Sequence, residues 1–415
     1  MLLMVIKSVD EKEQFMNEFR SYGDLKVTLT SAFSLRYPDW GSGARMNGAF
    51  YHPEPQGEFR PLGSVVIGNH APINGMRASM LVADGGNKAV AAPIDYVWIW
   101  NDSGSGADWD GSVWRPVPPP GYVAMGDVAQ TGHGKPSVND VWCLRADLVA
   151  AGQFAGGCAW QDAGSGGTHD IAAWPVILKD PSADPTKAVF EPDTFISTTN
   201  YSTPPNAGLA RVILVPLEAN VVNTPEVAPN LESRQAPPAT TQPVCDRQVT
   251  LPFTCLFDRT DRPSLDKIAN PFCTIERWTY WSLVLFNNNT TSLPQTQSKS
   301  TMVGITETES KSFSHSVGVK VGWEGGVGVK WKVELNYQFT LTTSTSMAVM
   351  RSDTVQRSLT SPPGHAAALW AQSWRFEVIR SDGSRIAPGL AFETNSFVHD
   401  QFPPPANETS MAVVS

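Results

Sequence analysis

The 415-residue chain contains no run of 18 or more apolar residues, so no sequence signal for a transmembrane helix is present. Charged residues are scarce, at 17%, and the net charge is −9, which argues against a nucleic-acid-binding surface. Cysteine is limited to Cys143, Cys158, Cys245, Cys255 and Cys273. An odd count at irregular spacing gives neither a disulfide framework nor a CxxC metal site. These cysteines read as small buried hydrophobes of a protein made in the cytosol, with a Cys245–Cys255 bridge as the alternative. The N-terminal text MLLMVIKSVDEKEQFMNEF has a short apolar run followed at once by charges. It lacks the apolar core and small-residue cleavage site of a secretory signal. The expectation is a protein released from its producing cell without such a signal and acting at a target cell membrane.

Catalytic signatures are missing as well. There is no HExxH, GxSxG, P-loop or dinucleotide-binding fingerprint, and the histidines have no paired-ligand spacing. Asp102-Ser-Gly-Ser-Gly-Ala-Asp-Trp-Asp110 alternates Asp and Gly like a calcium loop but lacks the later bidentate glutamate, so it reads as an acidic turn. His169-Asp170, after Gly-Ser-Gly-Gly, reads as a loop. The expectation is a non-enzyme with no metal and no cofactor.

What the chain has in plenty is turn-formers and aromatics: 33 glycines, 33 prolines and 14 tryptophans. With so little charge, this composition favours an all-β protein of short strands, and the length favours two domains. One stretch departs from short strands. From Phe313 to Leu341 the odd positions are Phe313, Val317, Val319, Val321, Trp323, Val327, Val329, Trp331, Val333, Leu335, Tyr337, Phe339 and Leu341, interrupted by His315 and Gly325. The even positions from Thr306 to Ser346 are all Ser, Thr, Gly, Lys, Glu, Asn or Gln. Period-two alternation puts one set on each face of a strand. The turn falls at Trp323-Glu324-Gly325-Gly326-Val327. A three-residue loop at 324–326 keeps every apolar side chain on one face, whereas a two-residue loop at Gly325-Gly326 would split them.

Each leg is then about 11–15 residues, enough for a membrane-crossing β-strand, which needs about 9–11. The odd residues would face lipid. Lys320, Glu324, Lys330, Lys332 and Glu334 would face the lumen. Lys320 and Lys330 would oppose each other, a repulsion that water and counter-ions in a wide lumen relieve. The alternative is a long hairpin of a soluble sandwich with one buried face. His315 lies on the apolar parity, where a charged imidazole would resist entering lipid, so a proton-sensing role is its functional reading.

Along the chain, residues 1–24 read as a leader, helical or disordered. Short apolar runs separated by Gly and Pro follow. Arg60-Pro61…Gly63-x-Val65-x-x-Gly68 and Arg115-Pro116…Gly121-x-Val123-x-x-Gly126 look like two copies of one element, with a degenerate third near Phe190 to Thr198. Three similar β units suggest a prism or trefoil-like arrangement over residues 25–215. Residues 216–244 are proline-rich and read as a mobile linker in which Arg234 is the evident proteolytic site. Residues 245–405 form a second domain, and 406–415 a disordered tail.

Two family resemblances sit on these residues. The text FRPLGSVVIGNH, PIDYVWIWND and WRPVPPPGYVAMGDVAQTGHGKPSVNDVWCLRADL resembles the vacuolar-protein-sorting-type domain of fungi and plants, and the multivesicular-body-associated β-prism. This implies a β-prism-like domain that touches lipid head groups or glycans. The text TETESKSFSHSVGVKVGWEGGVGVKWKVELNYQFTLTTSTS, followed by SPPGHAAALWAQ, resembles the aerolysin-type β-pore-forming toxins, including the epsilon-toxin and mosquitocidal-toxin branches. The tip here lacks the proline many of those proteins carry. The second resemblance implies an elongated β-sandwich module with an insertion hairpin. Together they imply a soluble bacterial, insecticidal pore-forming toxin. It would bind a target membrane through a lipid, glycan or protein receptor, homo-oligomerise and insert a barrel built from 313–341. The alternative is a non-lytic lectin-like or lipid-binding protein of adhesion or membrane trafficking.

Overall fold

The computed structural model describes residues 16–179, 186–217, 220–317, 319–320, 333–334 and 352–404. The fold is all-β, as the composition predicts, in sheets that are antiparallel apart from one two-residue pairing. The chain divides into two units. One comprises Met1–Ile177, Glu191–Ile213 and Arg259–Pro271, the other Leu178–Phe190, Leu214–Asp258 and Phe272–Ser415. The chain therefore passes between units more than once, where the sequence suggests a single boundary near 215–245.

Three groups of three strands surround the core of the first unit, two of them separate sheets and the third part of a six-stranded sheet. They are Phe33–Pro38, Ala49–Pro53 and Val65–Ile67; Asp95–Asn101, Gly111–Val117 and Val128–Thr131; and Trp160–Gln161, Ala172–Leu178 and Phe195–Thr198. All three contribute to one core, which holds Tyr37, Phe50, Trp100, Val113, Trp160, Ala173 and Phe195. Tyr37, Trp100 and Trp160 take equivalent places, one from each group. Their ring centroids lie 5.4, 6.1 and 5.8 Å apart, each pair edge-on, the arrangement that aromatic quadrupoles favour.

Two glycines make this aromatic cluster possible. A Cβ on Gly48 would lie 2.2 Å from Trp160 Cδ1, and one on Gly111 would lie 2.3 Å from Tyr37 Cδ2. The three repeats also meet at Gly63, Gly126 and Thr194. A Cβ on Gly63 would fall 3.1 Å from Gly126 Cα and 3.1 Å from Thr194 Cγ2. The threefold prism expected from the sequence is present, but in a different register. Gly63 corresponds to Gly126, not to Gly121, because the backbone matches Ser64 N→Asp127 O with Asp127 N→Phe195 O, both 2.9 Å.

The leader differs from expectation. Arg20–Tyr22 is a strand that pairs with the start of Leu25–Thr30 across Gly23-Asp24, with Gly23 at φ 60° supplying the left-handed turn. Residues 1–15 lie outside the described residues, as does the predicted tail 406–415.

The second unit is organised by three long strands. Phe272–Asn288 pairs with Ala366–Arg380 from Cys273↔Arg380 to Asn288↔Ala366, and Ala366–Arg380 pairs with Leu390–Phe402. Val244–Pro252 lies on the other side of Phe272–Asn288. One extra residue in that strand, Asp246, forms a bulge between Cys245 and Arg247. Its fully buried carboxylate accepts from the fully buried Arg277 guanidinium, Nε to Oδ1 at 3.0 Å. A bulge re-aims a side chain, and here it turns an aspartate towards a strand arginine. Arg277 also sits 4.8 Å over the Trp374 ring.

The proline-rich stretch expected to be a mobile linker is laid along this sheet. Leu231 is buried with Trp281, Ala366, Ala368 and Trp370. Backbone bonds join Leu283 N to Ala239 O and Thr241 N to Trp281 O, at 2.8 and 2.9 Å. Prolines cannot donate, but their extended neighbours can, so the stretch borrows hydrogen bonds from the strand edge. Arg234 remains exposed, with its guanidinium donating to the Gly364 carbonyl.

Candidate functional site

The segment singled out by its alternation emerges from a two-stranded ribbon. Gln295–Val303 pairs with Asp353–Ser361, Gln295↔Ser361 through Val303↔Asp353. Residues 304–352 therefore leave and return at one end of this ribbon. The ribbon is rich in Ser, Thr and Gln, and its first strand is exposed over most of its length. Thr296 and Thr360 bond across it at 2.9 Å. Such strands form readily but bury little, so the pairing that holds them is weak.

After Val303 the structure departs from the predicted hairpin. Glu307–Val317 is an α-helix. Its start is set by a capping box: Thr306 N donates to Glu309 Oε2 at 3.0 Å, and Glu309 N donates to Thr306 Oγ1 at 3.2 Å. Glu307 and Lys311 form an i,i+4 pair. Phe313 is buried on this helix and Val317 is its last residue, so neither lies in a strand here. His315 is exposed in the last turn. Val319-Lys320 pairs with Val333-Glu334 in parallel, Val319↔Val333. The antiparallel hairpin would set Val319 against Trp331 instead. Val321, Trp323, Glu324, Gly325, Gly326, Val327, Val329, Lys330, Trp331, Lys332, Leu335, Tyr337, Phe339 and Leu341 lie outside the described residues.

A second constellation closes one end of the prism, and its loops repeat almost to the atom. Asp39, Asp102 and Asp162 are buried at the head of three loops. Their backbone N–H groups donate to the carbonyls of Gly48, Gly111 and Ile171, at 3.1, 3.2 and 3.2 Å. Their Oδ1 atoms accept from the N–H of the same three residues, at 3.1, 3.0 and 3.0 Å. Ser42 and Ser105 Oγ accept from Ala44 and Ala107, both at 3.2 Å, and Ser165 Oγ accepts from Gly167 at 3.1 Å. Three cyclic bonds then join the loops: Asp108 N→Trp40 O, Thr168 N→Ser103 O and Arg45 N→Ala163 O, at 2.7, 2.8 and 2.9 Å.

His70 bonds to Asp39, and His133 Nε2 lies 2.7 Å from Asp102 Oδ1. In the third repeat Tyr201 stands nearby and donates to Asp170 at 2.8 Å. Burial first of all holds the Asp162 carboxyl above the usual carboxylate range. Asp102, Asp110 and His133 bring ligand atoms within 4.8 Å of one another. The first loop has the same Asp–His clamp with Asn47 in place of Asp110, so the trio is that clamp plus one exposed aspartate. The text of these loops, Asp-x-Gly-Ser-Gly starting at 39, 102 and 162, was the signal for them. Reading the second loop singly, as an acidic turn, conceals it.

Comparison with known proteins follows the same division. Residues 2–175 match the family model described as vacuolar protein sorting-associated protein 62, so the N-terminal part is similar to that family. No curated protein matches the chain. Among solved structures the chain is similar to GNIP1Aa from Chromobacterium piscinae, at 27% identity over 44% of this chain and 35% of that one, with a TM-score of 0.36. It spans about a third of that protein's length. It is also similar to Cry35Ab1, at 10% identity over 93% of this chain and 91% of that one, with a TM-score of 0.35.

Proposed function

We propose that this protein is a pore-forming toxin. It is released as a soluble molecule, docks on a target cell membrane through its N-terminal unit, and assembles into a homo-oligomer. Residues 313–341 of each subunit then insert as a β-hairpin and together close a barrel. The observation that carries this reading is the excursion of residues 304–352 from one end of a Ser/Thr-rich ribbon that buries little.

Physical chemistry supports each step. The helix Glu307–Val317 and the buried Phe313 keep part of the apolar parity covered in water. Converting that helix to strand brings Phe313 and Val317 onto one face with Val319. Lipid demands that every backbone group be bonded, and a closed barrel meets the demand. Each leg then exposes at least five large apolar side chains to hydrocarbon. At roughly 1.5–3 kcal/mol each, the gain per hairpin is about 15–30 kcal/mol as an upper bound. That exceeds the cost of melting a capped eleven-residue helix, whose box is worth about 1 kcal/mol.

Dye-loaded vesicles made with target-cell lipid extract provide the test. The protein releases dye, and Val319→Lys, which puts a charge on the lipid face, abolishes release without changing the unfolding temperature. Absence of release under every receptor and protease condition overturns the reading in favour of a non-lytic binding protein.

A further inference from the structure

We infer that the junction between the first and second loops of the prism is a binding subsite for a neutral sugar residue, with the exposed rings of Trp40 and Trp109 as its aromatic platform. This rests on the proposal that the N-terminal unit docks the protein to a cell surface, and it names the place and the chemistry.

The internal repeat supplies its own control. Trp40, Ser103 and Ala163 are equivalent positions, as are Met46, Trp109 and His169. All three junctions are closed by the same backbone bond, whatever side chain stands there. The equivalent positions are Ser103 and His169 at the second junction, where His169 packs on Trp98 at 4.9 Å, and Ala163 and Met46 at the third. The fold therefore closes without a pair of indoles. At the first junction the Trp40 and Trp109 rings meet edge to face, with centroids 6.2 Å apart and planes at 89°. Both are 39% exposed. Two large apolar rings held at the surface where the fold does not need them point to a ligand.

The polar surroundings select its chemistry. The Asp108 carboxylate lies against Gly41, where an added Cβ would come within 2.7 Å of Oδ1; Gly41 is also left-handed, at φ +78°. The loop thus brings backbone and an exposed acceptor together beside Trp40 and Trp109. The His70 ring meets Trp40 edge-on at 5.6 Å and is itself bonded to Asp39. A pyranose offers an apolar C–H face to an indole and hydroxyl donors to a carboxylate, so this pairing suits it. The exposed charges of the three loops are Arg45, Asp108, Asp110 and Asp170. Three acidic groups against one basic group repel phosphate, sulfate and sialic acid alike, which excludes anionic head groups and acidic glycans.

The test is a printed array of neutral oligosaccharides ending in hexose or N-acetylhexosamine, beside sialylated and sulfated ones. Phosphatidylserine vesicles are run in parallel. The full chain binds neutral glycans, and Trp40→Ala and Trp109→Ala each lower that binding at least tenfold while the unfolding temperature holds. His169→Ala, at the second junction, leaves it unchanged. Binding only to acidic glycans or to the anionic vesicles overturns the inference, as does neutral binding indifferent to both tryptophans. Dye release is read separately. Release from receptor-free vesicles without any glycan binding overturns this inference alone, whereas tryptophan-dependent binding without release supports it and removes the pore reading.

Discussion

Val303 and Asp353 face each other as the last pair of an antiparallel ribbon, and residues 304–352 issue from that end. At the start of that segment Gly304 N also donates to the Glu393 carbonyl at 2.7 Å, and near its end Ser352 N donates to the Ile305 carbonyl at 2.9 Å. Phe272–Asn288, Ala366–Arg380 and Leu390–Phe402 pair with one another through ladders that include no residue of 304–352.

The parity of the segment predicts opposite outcomes for neighbouring residues. Val319→Lys and Val329→Lys each reduce dye release at least a hundredfold, since a lysine at the bilayer midplane of a barrel costs about 2–4 kcal/mol per subunit. Lys320→Gln and Lys330→Gln leave release intact and shift the ion selectivity of the channel towards cations. Single-channel recording in planar bilayers reads both effects.

The capping box ties the resting state to the helix. Thr306→Ala removes the side-chain acceptor for Glu309 N and one donor to the Glu309 carboxylate, at a cost of about 1 kcal/mol. Because the box exists only in the helical form, the variant releases dye faster than the parent at equal dose. An unchanged rate contradicts a helix-to-strand step.

The Asp246–Arg277 pair holds the bulge of the second unit. Removing one member leaves a buried, uncompensated charge, so Asp246→Ala or Arg277→Met alone lowers stability by about 3–5 kcal/mol. The double substitution recovers most of that loss. Chemical denaturation of the four proteins gives the cycle directly.

Acid acts on the first unit through His52. This histidine is buried, with Nδ1 2.9 Å from Ser64 Oγ and Nε2 3.2 Å from the Asp140 carbonyl. Burial, and secondarily the charge of Arg36, pushes its pKa down to about 3. The unfolded chain takes up a proton at about 6.5 and the folded chain does not. The stability contributed is therefore complete above pH 6.5 and is lost progressively as pH falls towards 3. His52→Gln lowers stability at neutral pH and flattens the fall between pH 6 and 4, as melting curves across that range record.

Much of the fold was legible because strands of alternating text declare themselves locally. Asp95–Asn101 lies on the apolar text of PIDYVWIWND, one of the short apolar runs between Gly and Pro signals. The threefold prism was legible only in outline. Its register depends on Gly63, Gly126 and Thr194 meeting in space, and a threonine in place of the third glycine hides the match. The helix was missed for a different reason. Thr306-Glu307-Thr308-Glu309 is a capping box, but the strict alternation that begins at Phe313 dominates the reading of the residues that follow it. The proline-rich stretch read as a linker because what orders it is the apolar surface of Trp281 and Trp370, far away in sequence.

The most direct measurement places an environment-sensitive fluorophore on single cysteines at 319, 320, 329 and 330, in a background where Cys158 and Cys245 are serine. The account predicts that on adding vesicles the odd positions turn blue-shifted and are quenched by spin-labelled lipid, while the even positions are quenched by aqueous iodide. Four probes that all stay exposed to water, or that move without alternation, contradict it.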